Sequence, residues 1–210
     1  MDRFLRYLPT LVTVALVAGC GGSGPATSVN PSGLPLPLPA MLGQQVGIYP
    51  LTLLTGDETL GWSESLRPRR AALDRADSVI VAALTERSPE IQWIEPDALR
   101  MAARRAPGML TDPDRMATAV LRSPSLNKLP DPLFSQMRNL SGVAGGRLAL
   151  VPASLVFAPD EQGVGKAVLT LVLVDIRLGR VRWRNQAEGT GDEPWSALWA
   201  ALKTLAPGLP

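Results

Sequence analysis

Hydrophobic and polar positions change period several times along the chain, and each change marks an element. Residues 8 to 17 are almost wholly apolar and follow Arg3 and Arg6; ten residues are too few to span a bilayer as a helix, so the run reads as a removable signal. From Gly21 to Pro39 there is no period, only Gly, Ser, Pro, Thr and Asn with scattered leucines, as in Pro35-Leu36-Pro37-Leu38-Pro39, which is the composition of a tether. Val46 to Leu54 is apolar and rich in strand formers, broken by Pro50, and predicts a strand. From Leu66 to Thr85, Leu73, Ala76, Ile80, Ala83 and Leu84 recur at three and four, predicting a helix capped by Ser65 with Pro68 in its first turn. Ile91 to Ile94 is a second strand, and strand, helix, strand favours a parallel pair.

Glu95-Pro96-Asp97 and Thr111-Asp112-Pro113 start short helices over Leu99 to Arg105 and Met116 to Leu121, and Pro132 introduces another with Leu133, Phe134, Met137 and Leu140; together they form a helical insertion, residues 96–140. Arg147 to Phe157, Lys166 to Ile176 and Arg180 to Gln186 are strand-like, the last two joined by Arg177-Leu178-Gly179, and predict an antiparallel meander. Val168 to Val174 is apolar on both faces and belongs in the centre, whereas Val181 and Trp183 alternate with Arg180, Arg182 and Arg184, giving one buried and one wet face. Pro50 and Pro152 place their strands near an edge or a bulge. Trp195, Leu198, Trp199, Leu202 and Leu205 form the stripe of a closing helix. The fold class is therefore α/β (α+β): a mixed sheet of about five strands with a β-α-β start, the helical insertion, the three-strand meander and a C-terminal packing helix.

The apolar run closes in Leu16-Val17-Ala18-Gly19-Cys20, which holds the only cysteine. This resembles a bacterial lipobox, and the resemblance implies cleavage before Cys20 and acylation of that residue, several chains together giving a stable anchor. Gly21, Gly22 and Ser23 follow without an acidic residue, a pattern similar to lipoproteins sent on to an outer membrane, where the domain would face the periplasm. The chain thus divides into a signal peptide, 1–19; a lipidated Cys20 with a flexible tether, 20–40; and one α/β domain, 41–210. With a single cysteine no internal disulfide exists, and the core alone holds the fold.

Charge and composition narrow the chemistry. The formal net charge of +2 becomes +1 once Asp2, Arg3 and Arg6 leave with the signal, which argues against nucleic acid as a partner. The chain has no histidine, so Ser-His-Asp and Cys-His catalysis and the usual zinc sites are excluded; no cofactor or metal is expected. Gly142 to Arg147 and Gly163 to Lys166 precede strands rather than open helices, and read as turns. The pairs Asp57-Glu58, Asp160-Glu161 and Asp192-Glu193 lie in loops or at a helix start, where solvation and capping account for them. Arg177, Arg180, Arg182 and Arg184 make a basic patch on the terminal hairpin, Arg67, Arg69 and Arg70 open the first helix, and Trp62 lies in a loop; these are the candidate partner surfaces.

The order of elements, with Leu173-Val174-Asp175-Ile176-Arg177-Leu178-Gly179-Arg180-Val181-Arg182-Trp183 as its most specific part, resembles the α/β domain shared by the amino-terminal part of the Tol-system propeller protein, the curli-secretion lipoprotein and lipoprotein activators of penicillin-binding proteins. The resemblance covers roughly residues 44 to 206 and implies a non-enzymatic envelope protein that binds or scaffolds an unidentified envelope partner. The alternative is a self-assembling homo-oligomeric lipoprotein of a secretion or assembly complex; a cell-wall glycan hydrolase is the remote third reading. The insertion exceeds the family pattern, and no barrel-forming hairpins are present.

Overall fold

The computed structural model describes residues 34–205. The signal segment with Leu16, Val17, Ala18, Gly19 and the lipidation candidate Cys20 lies outside the described residues, as do the tether up to residue 33 and residues 206–210.

A six-stranded mixed sheet runs in the order β3 (Gln92–Ile94), β1 (Gln45–Ile48), β4 (Leu148–Pro159), β5 (Gly165–Asp175) and β6 (Arg180–Thr190), with β2 (Leu54–Gly56) also on β4. The chain enters through β1 (Gln45–Ile48), continues in β2 (Leu54–Gly56), crosses in α1 (Arg69–Arg87) and returns as β3 (Gln92–Ile94). β1 and β3 are parallel, as the periodicity implies. The expected single strand over Val46 to Leu54 is two strands, both parallel to β4. The register explains the break: six residues pass from Ile48 to Leu54 while β4 advances five, from Leu150 to Leu155, so the segment around Pro50 bulges out, where its missing N–H costs nothing.

α2 (Pro96–Arg105) and α3 (Leu133–Ala144) flank an irregular segment containing two 3₁₀ turns, Pro113–Arg115 and Thr118–Arg122. The helix expected over Met116 to Leu121 is thus a 3₁₀ turn, because Pro113 and Pro124 leave too little chain for an α-helix to nucleate. Ser65 does not cap α1 either; Pro68 occupies the cap position, without a side-chain cap. The meander follows as expected: β4 (Leu148–Pro159), β5 (Gly165–Asp175) and β6 (Arg180–Thr190), closed by α4 (Pro194–Leu205).

Alternation within the internal strands feeds two cores. Leu148, Leu150, Leu155, Phe157, Leu169, Leu171 and Leu173 meet α1 and α4 on one face. Ala149, Val151, Ala153, Val172 and Val174 meet α2, α3 and the 3₁₀ segment on the other. Both faces of β4 and β5 are covered there, which is why those strands are apolar throughout. Pro152 sits in an internal strand, not at an edge, and the sheet accommodates it with a register shift between Pro152 and Ser154. Beyond that bulge the second face is open: Val156 is exposed and Val168 half buried, with Thr55, Gln186, Glu188 and Thr190 exposed beside them.

The last part of the expected tether belongs to the domain. Leu36 and Leu38 are buried in the first core, the Leu36 N–H donates to the Leu205 carbonyl, and a 3₁₀ turn covers Leu38–Ala40. Pro35 and Pro37 fix their own φ and stiffen the segment, so Leu36 and Leu38 are held in the core at little further entropic cost while Leu34 stays exposed.

Candidate docking surface

The β5–β6 turn is rigid for three reasons. Gly179 takes a φ of +61°, which a side chain would resist. The Asp175 carboxylate accepts the Leu178 N–H at 3.1 Å and the Arg147 guanidinium at 2.8 Å. Burial works to raise the Asp175 pKa, but the Arg147 bond, the Leu178 N–H and the charges of Arg147 and Arg182 outweigh it and hold the carboxyl below its usual range. The backbone of Lys128 then pairs with Arg180, and the Val181 N–H donates to the Asn127 carbonyl, so the 3₁₀ segment borders the hairpin.

Of the four hairpin arginines, three are presented together and one is not. Arg177, Arg180 and Arg182 are exposed, with Lys128 beside Arg180, and none of these four cations has an ion pair among the described residues. Leu178 stands between them, 49 % exposed. Arg184 is buried and donates to the carbonyls of Leu121, Pro124 and Leu126 at 2.8, 3.1 and 2.7 Å. A register shift opposite Leu173 and Val174 is the cause: it inserts Arg182 as the extra residue, so Val181 packs on the second core and Trp183 on the first, and Arg184 turns inward. Burial without a carboxylate partner lowers its pKa.

Trp62 is no protruding contact. Its ring packs edge-on against Phe157 at 5.5 Å, lies over Gly165, and donates its N–H to the Asp192 carbonyl. Of the α1 arginines, Arg69 holds the carbonyls of Leu54 and Thr52, and Arg70 pairs with Asp74 and Asp114. The three acidic pairs gather at the opposite end from the hairpin, and two of them serve turns. Asp57 accepts the Thr59 N–H and hydroxyl, and Asp160 accepts the N–H groups of Gln162 and Val164.

One cluster escaped the periodicity. Arg100 of α2 donates to Asp114 at 2.9 and 2.8 Å, to Asp97 at 2.9 Å and to Asp77 of α1 at 2.7 Å, bridging the two helices. Asp77 also accepts the Leu51 N–H. Burial pushes the Asp77 carboxyl up to about 6 although Leu51 and Arg100 pull it down, whereas its neighbours Arg100 and Arg70 outweigh burial at Asp114 and lower it; desolvation exceeds the return from the pair only where the carboxylate is most enclosed. Hollows of about 700 and 570 Å³ flank the bridge, the first lined by Asp74, Thr85 and Asp97, the second by Pro107, Thr111 and Asp112. Every guanidinium nitrogen is engaged, so the cluster clamps the helices and offers no free reactive group. Its signal was a charged residue on each buried helical stripe: Asp77 between Ala76 and Ile80, and Arg100 beside Leu99.

Among the described residues no group of three metal-ligating side chains occurs, and no helix is long and apolar enough to cross a membrane. No protein-family model and no curated protein matches the chain. Among solved structures it is similar to the LpoB C-terminal domain from Salmonella enterica (12 % identity over 72 % of this chain and 85 % of that one, TM-score 0.38). It is also similar to a PelC dodecamer from Paraburkholderia phytofirmans (15 %, 83 % and 94 %, 0.34) and to lipoprotein GNA1162 from Neisseria meningitidis (14 %, 70 % and 81 %, 0.36). At these scores the likeness decides nothing about this chain's chemistry or partners.

Proposed function

We propose that the chain is a lipid-anchored envelope protein, acylated at Cys20 and held at the outer membrane facing the periplasm, that acts by binding rather than catalysis. Its α/β domain docks another envelope component through the hairpin end. The observation that carries this is the set of four cations, Lys128, Arg177, Arg180 and Arg182, without an ion pair among the described residues and gathered around an exposed Leu178. A solvated face scatters cations among carboxylates; here the hairpin's own carboxylate, Asp175, is buried and bonded to Arg147, and the four cations outnumber the exposed Asp131 that follows Leu129 beside the turn. An acid for glycan hydrolysis needs a raised pKa, and Asp57, among the exposed pairs, is lowered by its Thr59 bonds. Crosslinking the lipidated protein in its envelope and identifying the attached species by mass spectrometry tests the reading. Attachment through the hairpin supports it; attachment elsewhere, or an unacylated parent that fractionates like Cys20→Ala, refutes it.

A second reading, self-assembly, draws on the open half of the second sheet face. There Val156 and Val168 lie beside the Lys166–Glu188 pair, and a second copy related by a two-fold could meet lysine with glutamate. A single monomeric mass for the acylated protein in mild detergent would dismiss it.

A further inference from the structure

Resting on the anchor reading above, we infer that the hairpin end docks on the anionic phospholipid surface of the same membrane that holds Cys20, so that the domain stands in one orientation rather than swinging on its tether. Three independent features converge on this occupant.

The first is where the chain leaves the domain. The carbonyl of Leu34, the first described residue, accepts the Trp183 indole N–H at 3.2 Å and the Asn185 amide at 2.8 Å. The exit therefore lies against β6, next to Arg182 and three residues, about 10 Å of strand, from Arg180. Residues 21–33 separate it from Cys20, roughly 45 Å at full extension, which is about the diameter of a domain of this size. The basic end is thus held near the bilayer at high effective concentration.

The second is charge. β4, β6 and the parallel β1, β2 and β3 all run away from the hairpin end, and only β5 runs toward it. The β4–β5 turn, the exit of β2 and the exit of β6 consequently meet at the far end: the Asp57 N–H donates to the Phe157 carbonyl and the Gly191 N–H to the Gly165 carbonyl. Asp57, Glu58, Asp160, Glu161, Asp192 and Glu193 all sit there, exposed or nearly so, against Arg67, Arg69 and a Lys166 already paired with Glu188. A domain of almost zero net charge is therefore strongly dipolar, and a negative surface turns its cationic end inward and pushes its acidic end away. Two exposed carboxylates share the hairpin's level: Asp131, beside the turn through the Leu129–Gly179 bond and outnumbered there by the four cations, and Glu90, beyond β3 at the opposite edge of the sheet, roughly 19 Å from β6.

The third is Leu178. A half-exposed leucine at the apex of the turn, ringed by Arg177, Arg180 and Lys128, has the make-up of an interfacial contact, with the apolar tip at the acyl boundary and the guanidinium groups at the phosphates.

The acylated full chain carrying Leu178→Cys, labelled with an environment-sensitive dye and reconstituted in vesicles of phosphatidylcholine alone or mixed with phosphatidylglycerol, tests this. An acylated Cys20 cannot take the dye. One dye per chain, a blue shift and headgroup-level quenching only in the anionic vesicles, and no response from Val164→Cys at the acidic end are the expected results. Adding Arg177→Glu, Arg180→Glu and Arg182→Glu lowers the docked-to-undocked ratio by about 100-fold or more, at about five-fold per lost cation. One dye per chain with the same spectrum in both lipids, or a response untouched by the three reversals, overturns the docking while leaving the anchor in place. Two dyes per chain removes the anchor and with it this inference.

Discussion

Replacing Arg100 by methionine removes the clamp between α1 and α2 while keeping most of its buried stem. The guanidinium is 10 % exposed and its partner Asp77 6 % exposed, so at pH 8 the variant leaves a buried carboxylate with one remaining donor, the Leu51 N–H. Removing one member of such a pair costs about 4 kcal/mol; Asp97, 84 % exposed, adds almost nothing. In a domain of this size that lowers Tm by roughly 10 °C. At pH 5 the result differs. The Asp77 carboxyl, at about 6 with the arginine present, rises further without it and is neutral there, so the unpaired charge vanishes and the loss shrinks to about 2 kcal/mol for the broken bonds to Asp114. The parent itself follows the sign of a raised carboxylate: Asp77's contribution is complete below the ordinary aspartate range and is lost as pH rises through about 6. Urea unfolding at the two pH values, followed by tryptophan fluorescence, reads the difference. An equal loss at both, or less than about 1 kcal/mol at pH 8, would refute the argument. The double variant Asp77→Asn, Arg100→Met should recover most of the pH 8 loss.

Arg184→Met leaves the carbonyls of Leu121, Pro124 and Leu126 without their donor; about 3 kcal/mol is lost, and amide exchange across residues 118–129 rises before that of β5. Gly189→Ala drives a methyl group into the backbone of Ala197 and Ala201 on α4, costing at least about 3 kcal/mol, and a thermal melt within a degree of the parent would contradict that packing. Asp175 has the opposite sign from Asp77: its lowered pKa contributes stability at neutral pH that is lost as pH falls through it. Asp175→Asn therefore costs about 2 kcal/mol at pH 7 and less in acid, measurable by urea midpoints at the two ends of the range.

The sheet was legible because its signals are long. Leu171 to Val174 can be apolar on both faces only between two neighbours and two layers, and that is where this part of β5 lies, whereas Val168 reaches the open part of the second face. The α4 stripe and the Gly179 turn were readable for the same reason, each needing only local residues. What stayed hidden depends on a partner far along the chain. Period-two reasoning placed Arg184 on the wet face, because one inserted residue at Arg182 inverts every side chain after it and nothing in Arg-Val-Arg-Trp-Arg-Asn announces the insertion. Asp77 and Arg100, 23 residues apart, are each an anomaly on a helical stripe and make sense only as a pair. Pro-Leu repeats read as tether because their burial is supplied by α4, which closes the chain. Of the candidate surface, exposure of Arg177, Arg180 and Arg182 followed from the turn, but their company with Lys128 came from the irregular segment.

The seam formed by Leu34 to Ala40 also decides how the domain answers to force. A pull transmitted through the N-terminal chain does not load β1 directly. It first meets the bonds from Trp183 and Asn185 to Leu34 and from Leu36 to Leu205, and these are arranged to open one after another, like a zip rather than a rivet. Peeling seven residues off the core adds about 25 Å of length before the parallel strands carry any tension. The domain thus contains its own slack, a stretch that peels from β6 and α4 before the parallel strands take the load.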